Sequence, residues 1–204
     1  MPEGQSLWRG SAPLVLASTS ATRRLLLENA GVTVETQSPG VNERALETAD
    51  REPRDIARRL AAEKALAVSR LRPERLVLGA DQTLACEGRL FHKPADRAAA
   101  HGQLMALSGR THILHSAFAL AQNGIVVHEA VENARMTMRP MSPSNIEAYL
   151  DYAGDGALQS VGAYQVEGTG IHLFERIEGD HSTILGLPLI PLLAALRTGG
   201  LLAF

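Results

Sequence analysis

A short apolar run that leads into a hydroxyl-rich segment and then into a row of leucines constrains the start of the fold. The run is LVLA (14–17), the polar segment is STSATRR (18–24), and three leucines with Glu28 follow before Gly31. The apolar run is typical of a buried strand, whereas the leucine row and the glycine after it are typical of a helix and its end. The sequence therefore predicts a strand, a polar turn and a helix in this order.

The polar turn has the composition of an anion site. Hydroxyl side chains at a helix start ordinarily cap free backbone N–H groups. Two adjacent arginines, Arg23 and Arg24, are less ordinary there, because the positive end of the helix dipole disfavours each cation by about 0.3–1 kcal/mol. Free N–H groups, hydroxyls and arginines together favour a phosphate site. The alternative is simple capping, with both arginines in solvent.

The rest of the pattern predicts strands and helices that alternate early, with hairpins later. Helices are expected over 53–71 and 95–107, after Ser142, and from about Pro188 onwards. Strands are expected over 32–36 and 75–81, on both sides of Glu87-Gly88 and of Asn123-Gly124, and over 162–168 and 171–179. This order predicts an α/β fold with a mixed sheet.

The bulk composition limits the class of protein. The chain has 204 residues, of which 45% are hydrophobic and 21% charged, enough for one globular domain with a sizeable core. A net charge of −2 gives no general attraction to a nucleic acid polymer or an anionic membrane, and prolines interrupt the longest apolar run. A single cysteine, Cys86, fits a reducing cytoplasm. We expect residues 1–12 to be a disordered tail and residues 13–204 to be a single domain.

Lys64 is the most informative single charge. In the helix expected over 53–71, apolar residues fill one arc of the helical wheel, and Lys64 lies inside that arc. One interpretation is that the lysine snorkels past the apolar face to water. The other is that it points into a cleft and faces an anion, because a buried ammonium without a partner is strongly unfavourable.

Other charged residues are informative mainly through their position. Asp81 ends the strand expected over 75–81, where it could hold a metal, take a proton from water or simply cap a turn. Lys93 and Glu43 by themselves indicate little more than surface charge. His112 and His115 have the spacing H-x-x-H, but in a strand this spacing puts them on opposite faces, which argues against a shared zinc site.

Seven short motifs in a fixed order carry a family resemblance. They are LASTSATRRLLL, LAAEKA, GADQTL, FHKP, LSGRTH, GAYQVEG and GLPL, and the resemblance extends from about Leu14 to Leu196. In order and spacing the chain resembles the Maf-like nucleotide pyrophosphatases, which are similar in fold to the inosine triphosphate pyrophosphatases. The resemblance implies an elongated mixed β-sheet with flanking helices and two lobes around a central cleft. It also implies hydrolysis of a nucleoside triphosphate to the monophosphate and pyrophosphate, with Mg²⁺ or Mn²⁺ as the cofactor.

The resemblance assigns roles to the cationic residues. Ser18, Arg23 and Arg24, with the helix N-terminus, would hold the phosphates. Lys64 and Lys93 would neutralise the triphosphate and its transition state. The opening turn would then form one wall of a triphosphate pocket.

The resemblance also assigns the acidic residues. Glu43 and Asp81 would bind the metal, and Asp81 would accept the proton of the attacking water. The family usually has an Asp-Glu pair where this chain has Asn42-Glu43, which leaves Glu43 alone in that loop. It usually has Pro where this chain has Ala21.

Three further positions bear on the base, again by resemblance: Thr22, Gln82 and Glu167. The branch that acts on dTTP and UTP typically has Arg, Thr and Gln there, whereas the branch that acts on 7-methyl-GTP typically has Trp, Gln and Glu. Gln82 and Glu167 match the second branch, and Thr22 matches neither. A carboxylate can accept the N1–H and the amino group of guanine, but it repels the two carbonyl oxygens of thymine and uracil. The resemblance therefore implies a house-cleaning enzyme that prefers 7-methyl-GTP.

Three alternatives stay open. They are a dTTP and UTP pyrophosphatase of the same family, a nucleotide-binding regulator of septum formation, and a phosphohydrolase that releases the terminal phosphate. The presence of Asp81, Lys64 and Lys93 favours an enzyme, because a module that only binds nucleotide needs no base. Homodimers are common in such families, so a second copy of the chain is a candidate partner.

Overall fold

The computed structural model describes residues 6–43 and 52–204, and in these ranges it forms seven strands and six α-helices. The strands are β1 (Leu14–Ala17), β2 (Val34–Thr36), β3 (Val77–Cys86), β4 (Arg89–Phe91), β5 (Thr111–Gln122), β6 (Ile125–Met138) and β7 (Phe174–Glu178). The helices are α1 (Ala21–Asn29), α2 (Pro53–Leu71), α3 (Arg97–Leu107), α4 (Pro143–Ala153), α5 (His181–Ile184) and α6 (Leu189–Thr198). Short 3₁₀ turns occupy 154–159, 161–163 and 169–173.

The seven strands form one open mixed sheet. Its order is β2-β1-β3-β5-β6-β7, and β4 pairs with β3 outside this path. β1 is parallel to both of its neighbours, whereas the β3–β4 and β6–β7 pairs are antiparallel. The α/β class, with a mixed sheet and flanking helices, is therefore confirmed. The cleft between two lobes stays a prediction.

The chain divides into two compact units. The first comprises the residues up to Gln82 together with Ser116–Glu132 and His181–Phe204, and the second comprises Thr83–His115 and Asn133–Asp180. In the first unit, leucines of β1, β3 and α6 pack with Phe118 in one core cluster, and alanines of α2 pack on alanines of β5 in another. Successive residues of a strand face opposite sides, so the sheet of this unit is covered on both faces. Within the described ranges, no helix is both long enough and apolar enough to cross a bilayer.

Several local sequence signals are confirmed. Helix α2 begins at Pro53 and ends at Leu71, as predicted. Ser142 caps α4, and its capping box with Asn145 satisfies backbone N–H groups at both positions. Asn123-Gly124 form the two-residue turn between β5 and β6, and both have positive φ, at 53° and 71°, which this type of turn requires.

Three predicted strands differ from the expected ranges. The strand expected over 32–36 is β2, which begins at Val34. The strand expected over 75–81 is β3 and runs on to Cys86, because the pairing with β4 continues it past Asp81. Asp81 therefore lies inside a strand, and its predicted place at a strand end is wrong. The strand expected over 171–179 is β7, which begins at Phe174 because a 3₁₀ turn occupies the residues before it.

The prediction of a strand over 162–168 is wrong. Gly162 and Ala163 have positive φ, at 80° and 61°, which is incompatible with an extended backbone. The Tyr164 ring that follows is buried, and its hydroxyl lies 2.7 Å from Nε2 of His112. The segment therefore folds around a buried tyrosine, and its alternating pattern does not come from a strand.

The structure of Trp8 differs from the disordered tail that was expected over residues 1–12. Residues 1–5 lie outside the described residues. The Trp8 indole is buried, its N–H donates to the carbonyl of Ala12 at 3.0 Å, and the Trp8 backbone bridges to Leu202. Burial of so large an apolar ring favours ordered packing of this residue. The single domain over residues 13–204 stays a prediction.

Candidate active site

The turn between β1 and α1 uses its serines as backbone caps. The Ser20 hydroxyl accepts a hydrogen bond from the backbone N–H of Arg23 at 3.4 Å, and the Ser18 hydroxyl accepts one from the backbone N–H of Ser20 at 3.2 Å. Arg24 is exposed, and its Nε donates to Glu28 at 2.7 Å, one helical turn further on. The capping role is confirmed for Ser20, the N-cap of α1, whereas the phosphate-binding roles of Ser18 and Arg24 stay predictions.

Main-chain carbonyl groups fix the guanidinium group of Arg23. Its Nε donates to the carbonyl of Gly186 at 2.8 Å, and its Nη1 donates to the carbonyl of Ala80 at 2.9 Å. Burial lowers the pKa of Arg23, and the carboxylates of Asp81 and Glu43 act in the opposite direction. The charge of Arg23 therefore lies near the carboxylates of Asp81 and Glu43, whereas the neighbouring Arg24 is exposed.

Lys64 is buried and paired with both of these carboxylates. Its Nζ lies 2.5 Å from Oδ1 of Asp81 and 2.8 Å from Oε1 of Glu43. Lys64 and Asp81 are 5% and 6% exposed, whereas the Glu43 side chain is half exposed. The prediction that a buried Lys64 needs an anionic partner is confirmed, and the snorkelling interpretation is wrong, because the ammonium reaches carboxylates rather than water.

A glycine in β3 allows α2 to come close enough for this pairing. A β-carbon on Gly79 would lie 2.1 Å from the carbonyl oxygen of Ala61 and 2.5 Å from the backbone nitrogen of Ala65, so no larger side chain fits. Asp81 is two residues further along β3 than Gly79 and shares its face. The close approach of α2 at Gly79 therefore places the Lys64 ammonium against the Asp81 carboxylate.

The surroundings of Asp81 make its carboxylate a stronger base than that of an exposed aspartate. Burial raises the pKa of Asp81, and this effect exceeds the opposing charges of Lys64 and Arg23. The neighbouring carboxylate of Glu43 raises the pKa of Asp81 further. A carboxylate with a raised pKa accepts a proton more readily, which suits a general base.

The amide group of Gln82, the next residue of β3, is surrounded by acceptors within the first unit. Its Nε2 lies 2.7 Å from the hydroxyl of Ser116, 3.0 Å from the carbonyl oxygen of Thr183 and 3.1 Å from that of Ile184. The Ser116 hydroxyl itself donates to the Thr183 carbonyl at 2.6 Å. The predicted role of Gln82 in recognition of the base stays a prediction.

The remaining predicted site residues, Thr22, Lys93 and Glu167, are half-buried or exposed. Thr22 is half-buried in the first turn of α1. Lys93 is exposed after β4, and Glu167 is exposed in the turn that follows Tyr164; both belong to the second unit. In the first unit, the structure brings together Arg23, Glu43, Lys64 and Asp81. The roles of Thr22, Lys93 and Glu167 stay predictions.

Comparison with known proteins decides the family. The family model described as "Maf-like protein" matches residues 13–199. The chain belongs to the Maf-like family. A nucleoside triphosphate pyrophosphatase of Nitrobacter winogradskyi is 58% identical over 200 residues, which cover 97% of this chain and 99% of the relative. A relative of the same name from Rhodopseudomonas palustris is 58% identical over 98% of this chain and 100% of its own. A 7-methyl-GTP pyrophosphatase of Rhizobium etli is 50% identical over 92% of this chain and 96% of its own.

The two carboxylates of this Maf-like chain suit a divalent cation. Asp81 and Glu43 contact the same ammonium, so their oxygens converge on one small space. Mg²⁺ is commonly held by one or two carboxylates together with substrate phosphates. Across the residues that the structure describes, no group of three or more His, Cys, Asp or Glu side chains could hold a metal. The donor set therefore fits a cation that is completed by the phosphate oxygens of a substrate.

Sequence reasoning missed the residues that hold this Maf-like site together. Gly79 lies inside the buried strand β3, where a glycine signals a close backbone approach. Ser116 begins the otherwise apolar stretch SAFALA (116–121) of β5, and a polar side chain in such a stretch signals a buried hydrogen bond. The contact between Gly186 and Arg23 joins residues 163 positions apart, and no local pattern indicates it.

Proposed function

We propose that this chain hydrolyses a nucleoside triphosphate to the nucleoside monophosphate and pyrophosphate with a divalent cation, and that it prefers 7-methyl-GTP. One observation carries the reaction class: the buried ammonium of Lys64 is shared between Asp81 and Glu43, beside the fixed guanidinium of Arg23. The names of the relatives support the same reaction class. The name of the Rhizobium etli relative supports the base.

The charges of the cluster support the proposal of a divalent cation. Asp81 and Glu43 contribute two negative charges, and Lys64 and Arg23 contribute two positive ones, so the cluster is neutral by itself. A triphosphate brings several more negative charges, which require compensation. Asp81 and Glu43 would hold the cation, which when bound supplies polarisation of a phosphoryl oxygen.

The residues of the chain would divide the remaining work. The Asp81 carboxylate accepts the proton of the attacking water, and its raised pKa favours that transfer. Lys64 fixes the orientation of this carboxylate through Oδ1. The negative charge that develops on the leaving pyrophosphate is met by Arg23 and Lys64, and by Lys93 as the resemblance implies.

For the base, we expect a higher kcat/KM for 7-methyl-GTP than for dTTP or UTP at matched Mg²⁺. The Glu167 carboxylate is exposed and can accept both adjacent donors of guanine, and the positive charge of the N7-methylated ring favours a nearby carboxylate. Glu167→Gln should shift the ratio towards the pyrimidine nucleotides by about tenfold or more, because the amide can pair with a thymine or uracil edge. The measurement is kcat/KM for each nucleotide with both variants.

Glu175→Gln is the matched control, since it removes the same charge from another exposed glutamate of the second unit. It should leave the ratio unchanged. A parent protein that hydrolyses dTTP or UTP faster than 7-methyl-GTP would contradict the proposed base and leave the reaction class intact. A parent that binds these nucleotides without turning any of them over would instead favour the regulator of septum formation.

A further inference from the structure

We propose that Tyr149 and Tyr164 are positioning residues whose hydroxyl groups fix the turn that carries Glu167, and thereby set the selectivity for the base. The inference rests on the role proposed above for Glu167. All three residues belong to the second unit, and the two tyrosines are 8% and 4% exposed. The tyrosines would act through the backbone of the turn rather than by contact with the nucleotide.

Glu167 lies in a turn that backbone contacts close. The backbone N–H of Gly168 donates to the carbonyl of Gln165 at 3.2 Å, so Val166 and Glu167 are the two central residues of the turn. The chain then packs back on the start of the turn. A β-carbon on Gly170 would overlap the carbonyl oxygen of Gln165 and lie 2.8 Å from its nitrogen. The placement of Glu167 therefore depends on the placement of Gln165.

The hydroxyl of Tyr149 contacts the backbone on both sides of Tyr164. From α4 it donates to the carbonyl of Ala163 at 3.2 Å. Burial raises the pKa of Tyr149 to about 12, and a hydrogen bond from the Gln165 backbone opposes this rise. One hydroxyl, acting as donor and as acceptor, thus connects α4 to the first residue of the turn and to the residue two positions before it.

The hydroxyl of Tyr164 connects the same segment to β5. It lies 2.7 Å from Nε2 of His112, and both side chains are buried. Burial lowers the pKa of His112 to about 4, so its ring is neutral at neutral pH. Within the described residues, Nδ1 of His112 has no hydrogen-bond partner. The Tyr164 hydroxyl is therefore what satisfies this buried ring, and a shift of Tyr164 would cost that hydrogen bond.

The backbone between these two contacts is strained. Ala163 has a φ of 61°, which a residue other than glycine rarely adopts, and such a conformation persists only where the surroundings impose it. The Tyr149 hydroxyl holds the Ala163 carbonyl, and the Tyr164 ring beside it is buried against Phe174, with 4.8 Å between the ring centroids. Loss of either hydroxyl lets the strained backbone relax, which moves the turn that carries Glu167.

The test uses Tyr149→Phe and Tyr164→Phe, which keep the rings and remove the hydroxyls. The ratio of kcat/KM for 7-methyl-GTP to kcat/KM for dTTP should fall by about threefold to tenfold, the scale of one lost hydrogen bond. Inhibition by inorganic tripolyphosphate with Mg²⁺ should not change, because this probe has no base. Amide hydrogen exchange over 163–170, followed by mass spectrometry, should become about tenfold faster.

Tyr152→Phe is the matched control. It removes the same hydroxyl from the same helix, where Tyr152 is 84% exposed, and it should match the parent in every assay. Tyr164→Phe combined with His112→Leu removes both members of the buried pair and leaves neither without its partner. This double variant should show the same fall in the ratio if Tyr164→Phe alone does not fold.

A Glu167→Ala background separates positioning from a general loss of stability. There, Tyr149→Phe and Tyr164→Phe should change the nucleotide ratio by less than about twofold, since the side chain that they position is absent. An undiminished effect in this background would overturn the inference. So would an equal loss of kcat/KM for all nucleotides with the ratio unchanged, which is the result expected of a merely structural role.

The inference and the proposed function can fail separately. If Glu167→Gln shifts the nucleotide ratio and the tyrosine variants do not, the inference is wrong and the proposed recognition of the base stands. If Glu167→Gln leaves the ratio unchanged, the proposed recognition is wrong and the inference is wrong with it. A parent that releases no pyrophosphate from any nucleotide would refute the proposed reaction itself.

Discussion

Asp81→Asn is expected to lower kcat by about 10²–10⁴-fold, because the amide keeps the shape of the side chain but cannot accept the proton of the attacking water. The substitution also removes one of the two carboxylates that converge on the Lys64 ammonium. The measurement is the steady-state turnover of the preferred nucleotide at saturating Mg²⁺, together with a thermal melt to show that the variant is folded.

Asp155→Asn is the matched control for this substitution. Asp155 is an exposed aspartate of the second unit, so the same chemical change there should leave turnover unchanged. Near-parental kcat for Asp81→Asn at saturating Mg²⁺ would show that another group is the base.

Lys64→Met is expected to lower kcat/KM by about 10²–10³-fold, the usual cost of removing one preorganised charge-stabilising group. Methionine keeps the apolar length of the side chain among the buried residues of α2 but leaves Asp81 without its nearest cation. Lys64→Arg, which keeps the charge, should retain more of the activity than Lys64→Met. Equal activity of parent and Lys64→Met would contradict the role assigned to this lysine.

The same substitution should change the pH dependence of activity. Only the ionised Asp81 can accept a proton, so activity is lost as the pH falls through its pKa, which burial raises above that of an exposed aspartate. Lys64 is the larger of the two cationic influences that lower this pKa. Without it the pKa rises further, and the acid limb of the profile of kcat/KM against pH moves to higher pH. A limb that stays in place would contradict Asp81 as the group that titrates.

Local chemistry made much of the fold predictable from the sequence. Pro53 and Ser142 mark helix starts, and Asn123-Gly124 mark a hairpin, because each depends on backbone geometry that neighbouring residues determine. The prediction of a strand over 162–168 is wrong because the alternation of this segment resembles that of a strand. The positive φ values of Gly162 and Ala163 and the burial of Tyr164 instead depend on residues distant in the chain.

The candidate site was predictable only in part, for a similar physical reason. Lys64 stood out because a charge inside an apolar arc needs a partner, and the helical period alone shows that arc. The identity of the partner depends on the packing of α2 against β3 at Gly79, which sequence periodicity does not contain. The hydrogen bonds of the Gln82 amide with Ser116 and with the Thr183 carbonyl join residues far apart in the chain, and no motif encodes them.

The identity of the products tests the central claim most directly. The protein would be incubated with a nucleoside triphosphate and Mg²⁺, and the products would be separated by anion-exchange chromatography and identified by phosphorus NMR. If the cluster of Asp81, Glu43, Lys64 and Arg23 directs water to the phosphorus that bears the nucleoside, the monophosphate and pyrophosphate appear in equal amounts. Nucleoside diphosphate with orthophosphate would contradict the account, because the terminal phosphate would then be the one attacked.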